Sequence, residues 1–168
     1  MPNNNDLDTY GRCGDLKCPG TFATDCPALN DYKFYLAFEN SGCSEYITEK
    51  VWWNAFAKTV PVVLGGKLRR DYETMLPPKS FIYVEDFRNP ADLAALLLFL
   101  GEHDTFYMKL HEWRRYFKVL NEHAYFKSPA VHYCRVCEAL NYNDPSPKTY
   151  ERLDEFWSME HDCRSHMF

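Results

Sequence analysis

The chain has 168 residues, of which 46% are hydrophobic and 17% aromatic, and its 19 basic and 24 acidic residues give a formal net charge of −5. This length and apolar content suit a globular unit with a sizeable core and exclude an intrinsically disordered chain. The acidic balance argues against nucleic acid as a partner, because a protein that binds phosphate backbones needs a basic face.

The sequence offers no segment that would anchor the chain in a membrane. No window approaches the roughly 20 consecutive apolar residues that span a bilayer. The first six residues have neither the basic region nor the apolar core of a signal peptide. We therefore expect no membrane segment and no targeting signal in this chain.

The first part of the chain is rich in Asn, Asp, Gly and Pro and predicts an irregular linker over residues 1–31. Cys13, Cys18 and Cys26 lie there, where little else would hold the backbone. Seven cysteines are many for a reducing compartment, so we expect disulfides formed in the secretory pathway. The odd number leaves at least one thiol unpaired within the chain, and Cys43 is one candidate for it.

A strand, a polar loop and a helix are predicted next. Residues 34–38 are apolar with almost no alternation, which is typical of a strand buried on both faces of a parallel sheet. Turn residues follow at 40–42, and Ser44 is the predicted N-cap of a helix. Apolar residues then recur at helical spacing from Ile47, and the helix is expected to end before Pro61.

Further strands and helices are predicted after this helix. Residues 60–64 form a buried strand with a glycine exit, and residues 81–84 form a third strand. The sequence thus predicts an α/β fold, a Rossmann-like parallel sheet with helices on both faces. The other predicted helices are 68–75, Pro90 to the residue before Gly101, 104–120 and 148–160, and residues 124–147 are expected to be irregular apart from 134–141.

The polar residues that follow the first predicted strand lie where ligands bind in open α/β sheets, at a carboxyl end. They allow two interpretations. In one, residues 39–41 form a loop and a cap, and Glu49 and Lys50 form a solvated helix face. In the other, Lys50 meets a negatively charged group and Glu49 accepts ribose hydroxyls. The sequence has no Gly-x-Gly-x-x-Gly and no phosphate-loop pattern, which weakens nicotinamide and nucleoside-triphosphate chemistry.

Three segments carry a family likeness. Residues 32–41 read Tyr-Lys-Phe-Tyr-Leu-Ala-Phe-Glu-Asn-Ser, a Cys follows, and Tyr-Ile-Thr-Glu-Lys and Val-Pro-Val-Val-Leu-Gly-Gly occupy 46–50 and 60–66. Together they resemble the signature of the α1,3-fucosyltransferase family. The likeness continues at residues 10–14, 76–82, 86–87 and 134–140, so that it covers nearly the whole chain after Asp6.

The resemblance implies the GT-B arrangement, two facing Rossmann-like domains of which the first holds the acceptor and the second holds GDP-fucose. This chain is similar to the second domain, with residues 1–31 as an inter-domain segment and 32–168 as the donor-binding domain with its Cys-x-x-Cys segment. If the matching residues have the same roles as in the family, Glu49 would bind the ribose and Lys50 would bind the diphosphate. The other implied donor-binding residues are Glu39, Asn40, Ser41, Tyr46 and Thr48, with Tyr10 and Arg12 as weaker candidates from the linker.

The resemblance also implies the reaction, an inverting transfer of L-fucose from GDP-fucose in α1,3 linkage to GlcNAc of a glycoprotein or glycolipid glycan, with no metal and no other cofactor required. The catalytic base is expected in an acceptor domain that this sequence lacks, so we expect a fragment that is inactive alone. The full-length protein would be anchored in the Golgi cisterna membrane and face the lumen.

The C-terminal cysteines leave one further choice. The resemblance implies disulfides at Cys134 and Cys137, and Cys163 is the partner we expect for one of them. The alternative is a zinc site built from these cysteines with His161 and His166. Two other functions therefore stay open: a non-catalytic nucleotide-sugar-binding fragment, and an interaction module stabilised by zinc or disulfides.

Overall fold

The computed structural model describes residues 7–11, 14–18, 26–54, 58–66, 68–117 and 129–164. This part of the chain has an α/β fold around a three-stranded parallel sheet in the order β1-β2-β3. The strands are β1 (Phe34–Phe38), β2 (Val60–Leu64) and β3 (Ile82–Tyr83). The predicted α/β class, the parallel sheet and all three strands are confirmed, although β3 is shorter than predicted.

Helices connect and follow the strands. The α-helices in the described ranges are α1 (Arg69–Met75), α2 (Pro90–Glu102), α3 (Asp104–Lys109), α4 (Pro129–Tyr142), α5 (Leu153–Phe156) and α6 (Met159–Asp162). Short 3₁₀ helices lie at Pro27–Asp31, Val84–Asp86 and Glu112–Arg115, and Lys50–Asn54 forms one π-helical turn. None of these helices is both long and apolar enough to span a membrane.

The central strand β2 divides the core into two layers. All five of its residues are buried, and successive side chains point to opposite faces, as the pleat of a strand requires. Val62 packs in a layer with Leu93, whereas Val63 packs on the other face with Tyr72. Each buried aliphatic side chain contributes about 1.5–3 kcal/mol to folding, so the two layers fix the sheet and hence the positions of its strand ends.

Helix α2 follows its sequence signals closely. The Asn89 side chain accepts a hydrogen bond from the backbone N–H of Asp92 at 3.0 Å, and Pro90 occupies the first turn. The four leucines predicted to form its apolar stripe face one layer of the core: Leu93, Leu96, Leu97 and Leu100. The helix ends at Glu102 and therefore includes Gly101, at which the prediction had ended it.

The predicted long helix at 104–120 is wrong. Helix α3 ends at Lys109, and a 3₁₀ helix then carries Trp113. Tyr107 packs in the layer of Val62, while Trp113 packs in the layer of Val63 on the other face of the sheet. A single straight helix cannot place these two rings on opposite faces, so the chain breaks its helix between them.

Two predictions for the C-terminal part are also wrong. Helix α4 contains the segment 134–141 that was excepted from the irregular region, but it extends beyond that segment and already starts at Pro129, a residue that suits a first helical position. The predicted helix at 148–160 consists instead of α5 and α6. Ser158 separates them because its hydroxyl accepts a hydrogen bond from the His161 N–H at 3.2 Å and so starts a new helix.

Candidate functional site at the carboxyl edge of the sheet

The three strands end side by side, and the residues that follow them meet at one edge. Glu39 follows β1, Gly65 and Gly66 follow β2, and Glu85 lies two residues after β3. The Glu39 N–H still donates to the carbonyl of Leu64 at 2.7 Å, which extends the pairing of β1 and β2 by one bond. This edge is where open α/β sheets bind ligands.

Glu39 is the centre of the site. Its side chain is 0% exposed, and Oε1 accepts a hydrogen bond from the Thr48 N–H at 2.7 Å. The Thr48 hydroxyl lies 2.8 Å from Oε2, and Lys50 Nζ lies 3.0 Å from the same oxygen. A buried carboxylate is tolerated only when it is paired and hydrogen-bonded, so these contacts explain why an acid can stand here. They also hold Thr48 and Lys50 against the end of β1.

Lys50 lies at the start of the π-helical turn, and its side chain is 34% exposed. Its backbone N–H lies 3.4 Å from the Thr48 hydroxyl, and the Val51 N–H donates to the Thr48 carbonyl at 3.2 Å. Turns of this π type occur frequently at functional sites. The predicted helix from Ser44 is wrong here, because Ser44 bonds elsewhere and the helical turn begins only at Lys50.

The glycine exit of β2 leaves room for the buried carboxylate. Gly65 has φ +138°, a conformation that side chains rarely adopt, and a Cβ at this position would lie 2.6 Å from the Glu39 Cβ. A Cβ on Gly65 would also lie 3.1 Å from the buried Tyr72 hydroxyl. This hydroxyl has no hydrogen-bond partner among the described residues. Burial raises the pKa of Tyr72, and the nearby Glu39 carboxylate raises it further. Gly65 is therefore required by the close approach of β1 and α1 to this turn.

The structure brings most of the predicted donor-binding residues to this edge. Asn40 is exposed, and its Oδ1 accepts a hydrogen bond from the Tyr46 hydroxyl at 3.1 Å. Ser41 is half-buried and Glu49 is exposed. Together with the network around Glu39, these residues form a polar group after β1, in which Asn40 and Glu49 are exposed to solvent.

Tyr10 does not join them. Its hydroxyl lies 3.1 Å from the hydroxyl of Tyr32, which itself donates to Asp8 at 2.6 Å. This contact fixes Tyr10 to a residue just before β1, whereas the other candidates follow the carboxyl end of that strand. The hydrogen bonds with Asp8 and Tyr10 raise the pKa of Tyr32. Arg12 lies outside the described residues.

A C-terminal segment that the sequence did not assign to the site crosses the same edge. We call Ser158–Arg164 the C-terminal strap. Cys163 forms a disulfide and an antiparallel bridge with Cys43, in the loop between Ser41 and Tyr46. The Arg164 guanidinium donates to Glu85 Oε1 at 2.6 Å and to the Gly66 carbonyl at 2.9 Å. The signal available in the sequence was the odd cysteine count, which did not identify the pairs.

Tyr83 completes the contacts of the strap. Its hydroxyl donates a hydrogen bond to Glu85, whose other oxygen accepts from Arg164. Burial and the hydrogen bond to Glu85 raise the pKa of Tyr83 to about 12. The tyrosine therefore stays protonated at neutral pH and remains a donor to this carboxylate.

The cysteine pairs differ from the predicted ones. Cys18 and Cys26 form a disulfide, as their position in the linker suggested, while Cys13 lies outside the described residues. The expected pairing of Cys163 with Cys134 or Cys137 is wrong, because the strap brings Cys163 to Cys43 and helix α4 holds the other two as exposed free thiols. Cys43 is accordingly not the unpaired thiol.

The same pairing weakens the zinc alternative. Cys163 is no longer a thiolate that could bind a metal. Among the described residues, no three metal-binding side chains cluster closely enough to hold an ion. His166, the other proposed ligand, lies outside those residues.

Comparison with known proteins identifies relatives along most of the chain. Residues 1–157 match the family model described as glycosyltransferase family 10 (fucosyltransferase), C-terminal part. The glycoprotein 3-alpha-L-fucosyltransferase A of Drosophila melanogaster is 38% identical over 157 residues, which cover 90% of this chain and 29% of the relative. The alpha-(1,3)-fucosyltransferase 4 of Mus musculus is 41% identical over 155 residues, covering 90% and 34%. The alpha-(1,3)-fucosyltransferase fut-1 of Caenorhabditis elegans is 35% identical over 158 residues, covering 90% and 35%. The chain thus spans about a third of the length of the curated relatives that it matches.

Proposed function

Because this chain belongs to glycosyltransferase family 10, the fucosyltransferases, we propose that it binds GDP-fucose for the transfer of L-fucose in α1,3 linkage to GlcNAc of a glycoprotein or glycolipid glycan. The relatives that share 35–41% identity with it are named as α1,3- or 3-α-fucosyltransferases, which supports this linkage. Since the chain spans about a third of their length, the activity belongs to the whole protein, and the chain itself supplies the donor site.

The observation that carries the proposal is the network of Glu39, Thr48 and Lys50 at the carboxyl edge of the sheet. Glu39 uses one N–H of the Lys50 ammonium at 3.0 Å and leaves the group 34% exposed at the mouth of the edge. An ammonium has three N–H donors, so Lys50 keeps donors for the oxygens of a diphosphate. The buried carboxylate fixes where this cation stands, and a fixed cation binds an anion without losing further side-chain entropy.

The neighbouring exposed groups suit the rest of a nucleotide. Glu49 precedes Lys50 directly, and a free carboxylate accepts hydrogen bonds from ribose hydroxyls. Asn40 and Tyr46 add an amide and a phenol that are hydrogen-bonded to each other. On this proposal Glu39 is a structural anchor that holds Lys50, and it does not contact the donor, because its side chain is 0% exposed.

The chemistry of the whole enzyme follows from the same proposal. In the GT-B arrangement a second domain holds the acceptor opposite this one. A carboxylate in that domain takes the proton from the acceptor hydroxyl as the hydroxyl attacks the anomeric carbon, GDP leaves from the opposite face, and the centre is inverted. Lys50 stabilises the charge that develops on the leaving diphosphate. No metal and no other cofactor is required, and the enzyme acts on the lumenal side of the Golgi membrane.

Calorimetric titration with GDP tests the donor site. The purified chain should bind GDP, and Lys50→Ala should weaken this binding by about 10- to 150-fold, which corresponds to one charge-assisted hydrogen bond of about 1.5–3 kcal/mol. Glu49→Gln should weaken GDP similarly but leave inorganic pyrophosphate unaffected. Lys148→Ala, at an exposed position, is the control. Unchanged GDP binding in both site variants would contradict the proposed site.

A further inference from the structure

The loop that carries the donor-site residues is tied to the far end of the chain. We call residues 40–46 the donor loop, since on the proposed function it contacts GDP-fucose. Within it, Gly42 accepts a hydrogen bond from the Arg164 N–H at 2.8 Å, and the Ser44 N–H donates to the Asp162 carbonyl at 2.8 Å. The Cys43–Cys163 disulfide lies between these two bonds, and Cys43 is only 2% exposed. These three links, together with a hydrogen bond from the Ser44 hydroxyl to the Asp162 carbonyl at 3.3 Å, join the centre of the donor loop to the C-terminal strap.

The strap is anchored on its other side to the remaining strand ends. Arg164 bridges Glu85, after β3, and the carbonyl of Gly66, after β2. Glu85 is in turn held by the hydroxyl of Tyr83. The strap consequently spans all three strand exits, and the position of the donor loop depends on an arginine that lies well outside it in sequence.

The strap has internal order of its own. The Ser158 N–H donates to Asp162 Oδ2 at 2.7 Å, and the Asp162 N–H donates to the Ser158 carbonyl at 2.9 Å. Just before the strap, the ring of Trp157 lies 6.3 Å from the ring of Tyr46, one of the proposed donor-binding residues. A segment that is ordered in itself, bonded to the loop by Asp162, Cys163 and Arg164 and bonded to the strand ends by the Arg164 side chain can transmit a fixed geometry to the loop.

We propose that the Cys43–Cys163 disulfide and Arg164 are positioning groups for donor binding, which hold the donor loop in the arrangement that receives GDP-fucose. This inference rests on the proposed function of the donor site. Neither cysteine and no atom of Arg164 needs to touch the donor. They act by keeping the binding-competent loop populated before the ligand arrives, and the apparent Kd is inversely proportional to the fraction of molecules in that competent state.

The test compares two ways of releasing the strap with two matched controls. The double variant Cys43→Ser/Cys163→Ser removes the disulfide, and its control Cys18→Ser/Cys26→Ser removes the other described disulfide. Arg164→Ala keeps the disulfide but loses the bridge to Glu85 and Gly66. Its control is Arg152→Ala, an arginine that pairs with Asp154 and Glu155 elsewhere in the C-terminal part.

Two readouts apply to every variant below its melting temperature. The first is the Kd for GDP by calorimetry, which should rise about tenfold in both strap variants if the competent loop falls to roughly a tenth of the molecules, and should stay unchanged in both controls. The second is amide hydrogen exchange without ligand, which should accelerate at residues 40–48 in the strap variants and leave the exchange of β2 as it is. Since both changes release one strap, their effects on ln Kd should be less than additive when combined.

The outcomes separate this inference from the proposed function. A parent chain that binds GDP with strap variants of equal Kd overturns the positioning role and leaves the donor site standing. Additive effects of the two changes overturn the idea of one shared strap. A parent chain that does not bind GDP overturns the proposed function and this inference with it, whereas accelerated exchange at residues 40–48 with unchanged exchange of β2, together with weaker GDP binding, supports both.

Discussion

Lys50 and Glu39 form an ion pair of 3.0 Å in which the carboxylate side chain is completely buried and the lysine side chain is about one third exposed. This difference in exposure implies different roles for the two residues. Glu39 satisfies the Thr48 N–H and hydroxyl inside the protein, and Lys50 presents its charge at the surface of the edge. The same residue pair therefore couples the stability of this part of the fold to the charge of the proposed donor site.

Replacing the buried Glu39 should destabilise the fold more than the same replacement at the exposed Glu49. Glu39→Gln keeps an acceptor for Thr48 but removes the charge that pairs with Lys50, and a hydrogen bond to a charged group contributes about 1.5–3 kcal/mol. We expect a loss of that order in the free energy of unfolding, measured by urea denaturation. Glu49→Gln, at an exposed position, is the matched change and should alter the unfolding free energy by less than about 0.5 kcal/mol. Equal effects of the two variants would show that the buried network does not stabilise the fold.

The free and bonded cysteines give a second prediction, which concerns reactivity. Cys134 and Cys137 are exposed free thiols on α4, so both should be alkylated by iodoacetamide in the native, unreduced chain. Cys18, Cys26, Cys43 and Cys163 are in disulfides and should be labelled only after reduction. Peptide mapping by mass spectrometry distinguishes the two groups. A peptide that links Cys163 to Cys134 or Cys137 would contradict the pairing described here.

The features that the sequence predicted well are those encoded by neighbouring residues. The unbroken apolar run of β2 and the Asn89 and Pro90 signals at the start of α2 are local, and both elements lie where they were expected. The position of residues 39–50 after β1 followed from the same local pattern. The residues of the candidate site were therefore accessible from the sequence, together with the family likeness that assigned them roles.

The features that the sequence did not predict depend on distant contacts. Cys43 and Cys163 are separated by 120 residues, and no local pattern distinguishes this pair from the alternatives. Serine is a common N-cap residue, but the Ser44 N–H donates a hydrogen bond to the Asp162 carbonyl in the strap, and no helix starts at Ser44. The burial of Glu39 is a further case. A glutamate after a strand is expected to be solvated, and only the contacts with Thr48 and Lys50 explain why it is buried here.

A third prediction concerns pH and His111. Burial lowers the pKa of His111 below its ordinary value of 6.5, and the neighbouring Arg114 charge lowers it further. The neutral ring accepts a hydrogen bond from Arg114 Nε at 3.1 Å, which a protonated ring cannot do. The unfolded chain therefore binds a proton at this residue at a higher pH than the folded chain, and stability present above pH 6.5 is lost as the pH falls below that value.

The measurement is urea unfolding of the parent and of His111→Asn at pH 7.5 and pH 5.5. The parent should lose more stability than the variant over this interval, by up to about 1.4 kcal/mol for each pH unit below the unfolded pKa. Other groups that titrate in this range contribute equally to both proteins, so the difference isolates His111. Parallel pH dependence in the two proteins would refute the assignment.

The last prediction uses two glycines that differ in their surroundings. Gly65 has φ +138°, and a Cβ there would lie 2.6 Å from the Glu39 Cβ, so Gly65→Ala should strain the backbone and displace the buried glutamate. Gly101 lies inside α2 with nothing within 4 Å of its would-be Cβ. Gly101→Ala should therefore raise the free energy of unfolding by about 0.5–1 kcal/mol, because alanine favours the helix and glycine does not. Gly65→Ala should lower it by more than about 1 kcal/mol, the usual cost of forcing a side chain into such a backbone conformation. Because Glu39 positions Lys50, the Gly65→Ala change should weaken GDP binding too. Urea denaturation and GDP calorimetry on both variants check this, and a Gly65→Ala variant as stable as the parent would mean that the turn after β2 does not constrain Glu39.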